Sequence, residues 1–408
     1  MATDKRMSME QIIIPFESGK VKKFTKHLNT SSHWQKNAAP TEPDLLYRHA
    51  LSDLNSAARF SHQNLSTYDR ITFWAGETRK TFTYCGAELY LFSTGLGFFI
   101  INYSYPLTEN ESAPDGKEIA VFHGQVKNLF TQNSSLELSA GETEKISLKQ
   151  FIESSLELAN SAYGITLFPN NRRKRPFVFS SFQNMSLIQD KQKTEIAGVT
   201  EGSAPLKKGG IPGTFCYISQ YNLHVYCNAS TENGEDSFYA DTCNSLSTVF
   251  LIAISKHQSL LGIYRKMKNL EYHPRKAGTM KKEMLSYMGT KQYPIVTDDE
   301  YFQKIYEELE VILQLDEMEK NLSTLLFTLD EEASKKNASA MNTFLVIFGS
   351  LSLFDTIAMG LSLDQTLNSE NPPVLGIVTS IVLVVTGIAA LAFAGKKLLL
   401  FLSRKLHK

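Results

Sequence analysis

The hydrophobic pattern of this chain changes three times. Over Glu42–Arg59 the apolar positions Leu45, Leu46, Leu54 and Ala57 recur at helical spacing. The pattern then shortens to that of strands. Arg70–Trp74 and Thr81–Cys85 flank the turn-prone Gly76-Glu77, and Glu88–Phe92 and Gly97–Tyr103 flank Ser93-Thr94-Gly95. Leu96–Ile101 is apolar almost throughout, which predicts a strand covered on both faces. Helical spacing returns over Leu148–Tyr163 and over a long helix, Ser245–Leu270, with strand patterns at Pro176–Phe182 and Phe215–Tyr226 between them. Residues 1–40 are polar and mixed and read as a loosely held arm, pinned at its end by Trp34. Residues 41–297 therefore predict an α/β domain.

From Asp298 the pattern differs. No Pro or Gly occurs before Gly349, and Ile305, Leu309, Ile312, Leu315, Leu322, Leu325 and Leu329 form a narrow seam. This predicts a stalk helix over 298–340. It leads into two apolar segments, Met341–Leu363 and Val374–Gly395, of 23 and 22 residues. A bilayer core of about 30 Å needs roughly 20 apolar residues in a helix, so the two form a membrane hairpin around the outer loop 364–373. Unbroken from Asp298 to Leu363, the helix would measure on the order of 100 Å. A helix of that length requires identical neighbours, hence an oligomer.

Charge supplies orientation. The loop Asp364–Pro373 has no Lys or Arg, whereas the flanks carry Lys335, Lys336 and the basic tail 396–408. Positive residues stay inside, so both termini and the α/β domain are expected in the cytoplasm, at the inner (plasma) membrane. The first residues hold only the short run Ile12–Ile14 and no cleavage pattern, unlike a signal peptide. The chain has no formal net charge, but this conceals two blocks. Twelve acidic residues and two Lys lie in Asp298–Glu332, and nine basic residues and two Glu lie in Lys256–Lys291. Cys85, Cys216, Cys227 and Cys243 lack C-x-x-C spacing and read as free thiols.

The first apolar segment carries Ser352, Asp355, Met359 and Ser362 at three- and four-residue steps, and the second has no ionisable residue. The first is therefore the expected pore-lining helix. An acid at membrane depth faces a wet cavity, and a ring of Asp355 carboxylates favours cations. In the domain, Arg172, Arg173 and Arg175 beside Phe177 and Phe179 suit phosphate and a stacked base. Lys207 and Lys208 are a second candidate. No phosphate loop, nucleophile elbow or metal-ligand cluster appears, so neither an enzyme nor a nucleic-acid binder is expected and no metal site is assigned.

The order of domain, long helix, two membrane helices, short outer loop and basic end resembles the CorA-type divalent-cation transporters. Ala358-Met359-Gly360 stands where that family carries Gly-Met-Asn, and Pro373 and Leu375 fit the stretch before its second helix. The resemblance implies a funnel-shaped homopentamer with Met359, Gly360, Asp364 and Glu370 at the outer mouth, and Mg²⁺ or another divalent cation as the ion. Gly360 lacks the side-chain oxygen of the family's Asn. That departure favours the divergent CorA-like effectors of type III CRISPR antiviral defence, which respond to nucleotide second messengers such as SAM-AMP. A constitutive magnesium transporter regulated by the ion, and a non-conducting membrane scaffold, are the alternatives.

Overall fold

The structure is a computed structural model. It describes residues 10–37, 46–63, 68–104, 116–131, 135–140, 144–169, 173–183, 204–206, 214–227, 236–268, 277–291 and 295–328, with 331, 335 and 342. The two apolar segments and the outer loop, with Ser352, Asp355, Met359, Gly360, Ser362, Asp364 and Glu370, lie outside the described residues, as do Arg172, Lys207 and Lys208.

The described residues up to Leu326 form an α/β domain on one mixed sheet. Its central strand is β1 (Glu10–Ser18), flanked by β6 (Leu96–Ser104) on one side and β10 (Phe177–Gln183) on the other. Beyond β10 come β13 (Asn222–Cys227), parallel to it, then β12 (Thr214–Ile218) and β11 (Ala204–Leu206). Beyond β6 come β5 (Thr78–Leu91), β4 (Arg70–Ala75), β7 (Glu137–Ala140) and β8 (Glu144–Ser147). Strands β2 (Trp34–Lys36) and β3 (Ala58–His62) extend from the far end of β5, and β9 (Ile165–Leu167) pairs with the end of β1.

The arm expected over 1–40 is replaced by the middle of the sheet and a helix, α1 (Val21–Thr30). The reason lies in the run Ile12, Ile13, Ile14 and Phe16, every one fully buried. Apolar residues at consecutive positions suit a strand covered on both faces, and helices cover both. Pro15 is tolerated because β10 pairs up to Ile13 and β9 begins at Phe16, so Pro15 sits in the gap between them. Opposite Phe16, Gly97 leaves room for the Phe16 ring, which any Cβ there would strike.

One face of β1 presents Glu10, Ile12, Ile14 and Phe16. It packs against α1, α3 (Gly116–Lys127) and α4 (Leu148–Ser155) through Phe24, Phe122, Phe151 and their neighbours. The opposite face presents Gln11 and Ile13 to α5 (Asp236–Lys268), where Ser247 hydrogen-bonds Gln11 and Phe250 meets Phe177. Among the described residues, Thr242–Met267 is the one helix long and apolar enough to cross a membrane, and most of it is buried in the domain. Its place against the sheet accounts for its apolar character. The expected strand pairs at Thr81–Cys85 and Glu88–Phe92 merge into β5, with a bulge between Tyr84 and Gly86. The single strand pattern at Phe215–Tyr226 is the hairpin β12–β13.

The stalk also departs from expectation. Asp299 caps α7 (Glu300–Ile312), its carboxylate accepting from Tyr301 and Phe302 N–H groups at 2.9 and 3.1 Å. The helix stops at Leu313 and restarts as α8 over 315–328, with Gln314 in the left-handed region at φ 55°. No Pro or Gly marks this break. Leu309, Leu313, Leu315 and Leu322 are all buried. Leu313 and Leu315 are two residues apart, so an unbroken helix would point them in nearly opposite directions. The break re-phases the seam and keeps both inside. Residues 300–312 thus pack onto the domain through Tyr301, Phe302, Ile305, Tyr306 and Leu309.

Candidate functional site

The site forms where α3 and two loops meet at one end of β10 and β13. Its cleft is shallow, about 60 Å³, smaller than a pocket that encloses a whole small ligand, so it seats only part of one. His123 and Lys127 come from α3, one helical turn apart, and so share a face. Arg173, Arg175 and Pro176 come from the loop that enters β10. Ser219, Tyr221 and Asn222 come from the β12–β13 turn.

Local chemistry fixes both loops. Lys174 takes a left-handed conformation, φ 49°, and turns the chain between the two arginines. In the hairpin turn, the Ser219 hydroxyl accepts from the Asn222 N–H at 3.0 Å and the Tyr221 N–H at 3.3 Å. Tyr221 is tied to β10, its carbonyl accepting from the Val178 N–H at 2.8 Å. The Arg175 guanidinium lies 5.8 Å from the Tyr221 ring centre, within cation–π range. None of the described residues lining the cleft is acidic. Lys127, Arg173 and Arg175 bring three cationic side chains to it, of the kind that suit phosphate, and Tyr221 offers a ring.

Behind the cleft a polar row crosses the sheet. Tyr103 of β6 faces Glu10 of β1, Glu10 faces Ser180 of β10, and Ser180 faces His224 of β13. Register partners share a face, and this is the face that α3 covers. The Ser180 hydroxyl lies 3.4 Å from His123 Nε2, and the His123 and His224 rings stack with centres 5.1 Å apart. All are buried. Glu10 Oε1, His123 Nδ1 and both ring nitrogens of His224 have no hydrogen-bond partner. Buried polar atoms are nearly always paired, so such a cluster calls for a functional explanation.

Burial sets the protonation of this row. Desolvation pushes the Glu10 carboxyl up to about 8, against the opposing hydrogen bonds from Ser180 and Tyr103. Desolvation lowers His123 to about 4 and holds His224 well below the usual imidazole range, helped by the neighbouring His123. At neutral pH the row is uncharged, under a rim of three cations.

Of the residues singled out from sequence, Arg173 and Arg175 meet at this cleft. Phe177 contributes from beneath, its ring 5.5 Å from that of Tyr221 and 6.3 Å from that of Phe250 on α5. Sequence reading missed Lys127, His123, Tyr221 and the buried row. Glu10 had a signal: it falls in step with Ile12, Ile14 and Phe16, a polar residue on an apolar face. Cys85, Cys216 and Cys243 are free thiols, as expected. Among the described residues no group of three or more His, Cys, Asp or Glu is arranged to hold a metal ion.

Comparison of the chain with family models, with curated proteins and with solved structures gave no match.

Proposed function

We propose that this chain is a ligand-gated membrane protein of CorA-like architecture, whose α/β domain binds a phosphorylated nucleotide in the Arg175 cleft. The observation that carries the reading is the gathering of Lys127, Arg173 and Arg175 around one cleft beside Tyr221, with no acid among its described lining. The membrane half of the reading rests on the two apolar segments, 341–363 and 374–395, and on the charge bias around them.

Packing supplies a means of coupling. Phe177 bridges Tyr221 at the cleft to Phe250 on α5. Further along α5, Lys256 donates to Tyr306 and Glu310 of α7, at 2.7 and 2.6 Å. In sequence, α7 leads toward the first apolar segment. A ligand that repositions Tyr221 acts on this chain of contacts, and the two ends are linked by differential binding energy.

In this reading the protein is a homopentamer in the inner membrane with both termini cytoplasmic. Ser352, Asp355, Met359 and Ser362 line the path, and Met359, Gly360, Asp364 and Glu370 form its mouth. A nucleotide messenger of type III CRISPR defence, such as SAM-AMP, opens a cation path or perturbs the bilayer. A constitutive divalent-cation transporter would leave the cationic cleft without a role.

Full-length protein in liposomes tests this. Mg²⁺ alone should give no flux, and addition of SAM-AMP to the cytoplasmic side should open a cation conductance. Arg173→Ala/Arg175→Ala should lose that response, and Asp355→Asn should alter the permeability. Robust Mg²⁺ flux without any nucleotide would favour the constitutive transporter.

A further inference from the structure

Pockets that enclose a small molecule begin at about 300 Å³, and this cleft holds about 60 Å³. That is the share of about two waters, enough for a phosphate group and too little for a nucleoside. Its cations come from two elements, Lys127 from α3 and Arg173 and Arg175 from the loop into β10. The half-buried Tyr221 ring beside them already has two neighbours. The Phe177 ring centre is 5.5 Å away at an angle of 39°, and the Arg175 guanidinium lies 5.8 Å from the ring centre. The Tyr221 backbone is fixed as well, its N–H donating to the Ser219 hydroxyl and its carbonyl accepting from the Val178 N–H. Phe177 is 1 % exposed and meets Phe250 of α5. The Tyr221 ring therefore leans on the domain interior and holds a cation against it.

We propose that the cleft reads the phosphate of its ligand and not the base, and that Tyr221 is the positioning residue for Arg175 rather than a shelf for a stacked base. The inference rests on the cleft being a phosphate site and names what that site recognises: a phosphate group, whichever nucleoside or sugar carries it. A guanidinium ordered before the ligand arrives gives up less freedom on binding an oxyanion. An aromatic ring provides that order without the competing negative charge that a carboxylate partner would bring. The phosphate joins Lys127, Arg173 and Arg175, and the sugar and base of a nucleotide lie outside the cleft.

The same contacts carry the effect of the ligand inward. A phosphate that draws Arg175 shifts Tyr221, and Tyr221 bears on Phe177 and through it on α5. A base shelf would give a different selectivity. A nucleotide stacked on Tyr221 would bind about tenfold or more tightly than ribose 5-phosphate, which has no base to stack.

The test is calorimetric titration of full-length protein at pH 7 with AMP, GMP, ribose 5-phosphate and adenosine. The three phosphates should bind within about threefold of one another, and adenosine should not bind. Arg175→Ala should weaken all three by about tenfold or more, the loss expected for one charge-assisted contact. Tyr221→Leu should weaken all three by one common factor of about threefold, and Tyr221→Phe, which keeps the ring, should bind as the native protein does. In the Arg175→Ala background, Tyr221→Leu should cost nothing further, because its effect passes through that arginine. AMP and GMP binding about tenfold above ribose 5-phosphate, with Tyr221→Leu weakening the nucleotides alone, overturns the proposal and leaves a nucleotide site with Tyr221 as its base shelf. A Tyr221→Leu variant with no loss, or one whose loss persists without Arg175, overturns the positioning role. Phosphates that do not bind, or that bind Arg175→Ala as well as the native protein, overturn the phosphate site along with it.

Discussion

The two faces of the central sheet bury polar groups in opposite ways. On the α5 side two buried lysines are matched with carboxylates. Lys291 of α6 (Ala277–Lys291) meets Asp53 of α2 (Arg48–Ser56) at 2.9 Å and donates to Ser255 and Ser259 of α5 at 2.9 and 2.7 Å. Lys256 meets Glu310 at 2.6 Å. Desolvation lowers the Lys291 ammonium, and Asp53 pulls it back. On the α3 side, Glu10, His123 and His224 shed their charge and keep unpaired atoms. A closed network holds helices in place. An open one is unusual in a protein interior, where buried polar atoms are nearly always paired. This contrast is the ground on which a binding site is proposed for the α3 face and a linking role for the α5 face.

The largest expected effect breaks the closed side. Lys291→Met strands the Asp53 carboxylate and should cost about 3–5 kcal/mol in denaturant unfolding. Adding Asp53→Leu should recover most of it, because replacing both partners removes the burial penalty of each. Failure of the double variant to recover would mean that the network does more than hold charge.

The open side should respond with the opposite sign. Glu10 has a folded-state pKa raised above its unfolded value, so its contribution is greatest below pH 4.5 and is lost as pH rises through about 8. At roughly 1.4 kcal/mol per pH unit, Glu10→Gln should stabilise the protein at pH 7 by about 2–3 kcal/mol. A destabilised variant at that pH would show that Glu10 is not protonated in the folded state.

A pH series sharpens the same point. His62, His123, His224 and His257 all have lowered folded-state pKa values, chiefly through burial. Their contribution is present above about 6.5 and is lost as pH falls toward 4. Glu10 and the likewise raised Glu88 act in the other direction. Thermal unfolding should therefore be most resistant near pH 6.5, falling steeply on the acid side and gently toward pH 8. In Glu10→Gln the alkaline fall should shrink.

The smallest effect concerns the break between α7 and α8. Gln314→Gly removes a side chain from a left-handed position and should stabilise by about 1 kcal/mol. If the helix instead runs on in solution, the substitution should destabilise by a similar amount.

The strands around Gly76 and Ser93-Thr94-Gly95 were legible because turn residues separate alternating runs. The buried strand at Leu96 was legible because its apolar run had no polar interruption. The same signature in Ile12–Ile14 is too short to stand out from the polar residues before it and Pro15 after it. The helix break at Gln314 left no local mark, since it answers to the spacing of Leu313 and Leu315 against the domain. Arg173 and Arg175 could be singled out from their density of charge. Lys127 and Tyr221 could not, because only the sheet order brings α3 and the β12–β13 turn to the same end of β10.

The most direct test is equilibrium binding of SAM-AMP to the full-length protein at pH 7, beside the Arg173→Ala/Arg175→Ala variant. The account predicts saturable binding by the native protein and a loss of about a hundredfold in the variant, the effect of removing two charge-assisted contacts. Equal binding by both proteins would contradict it.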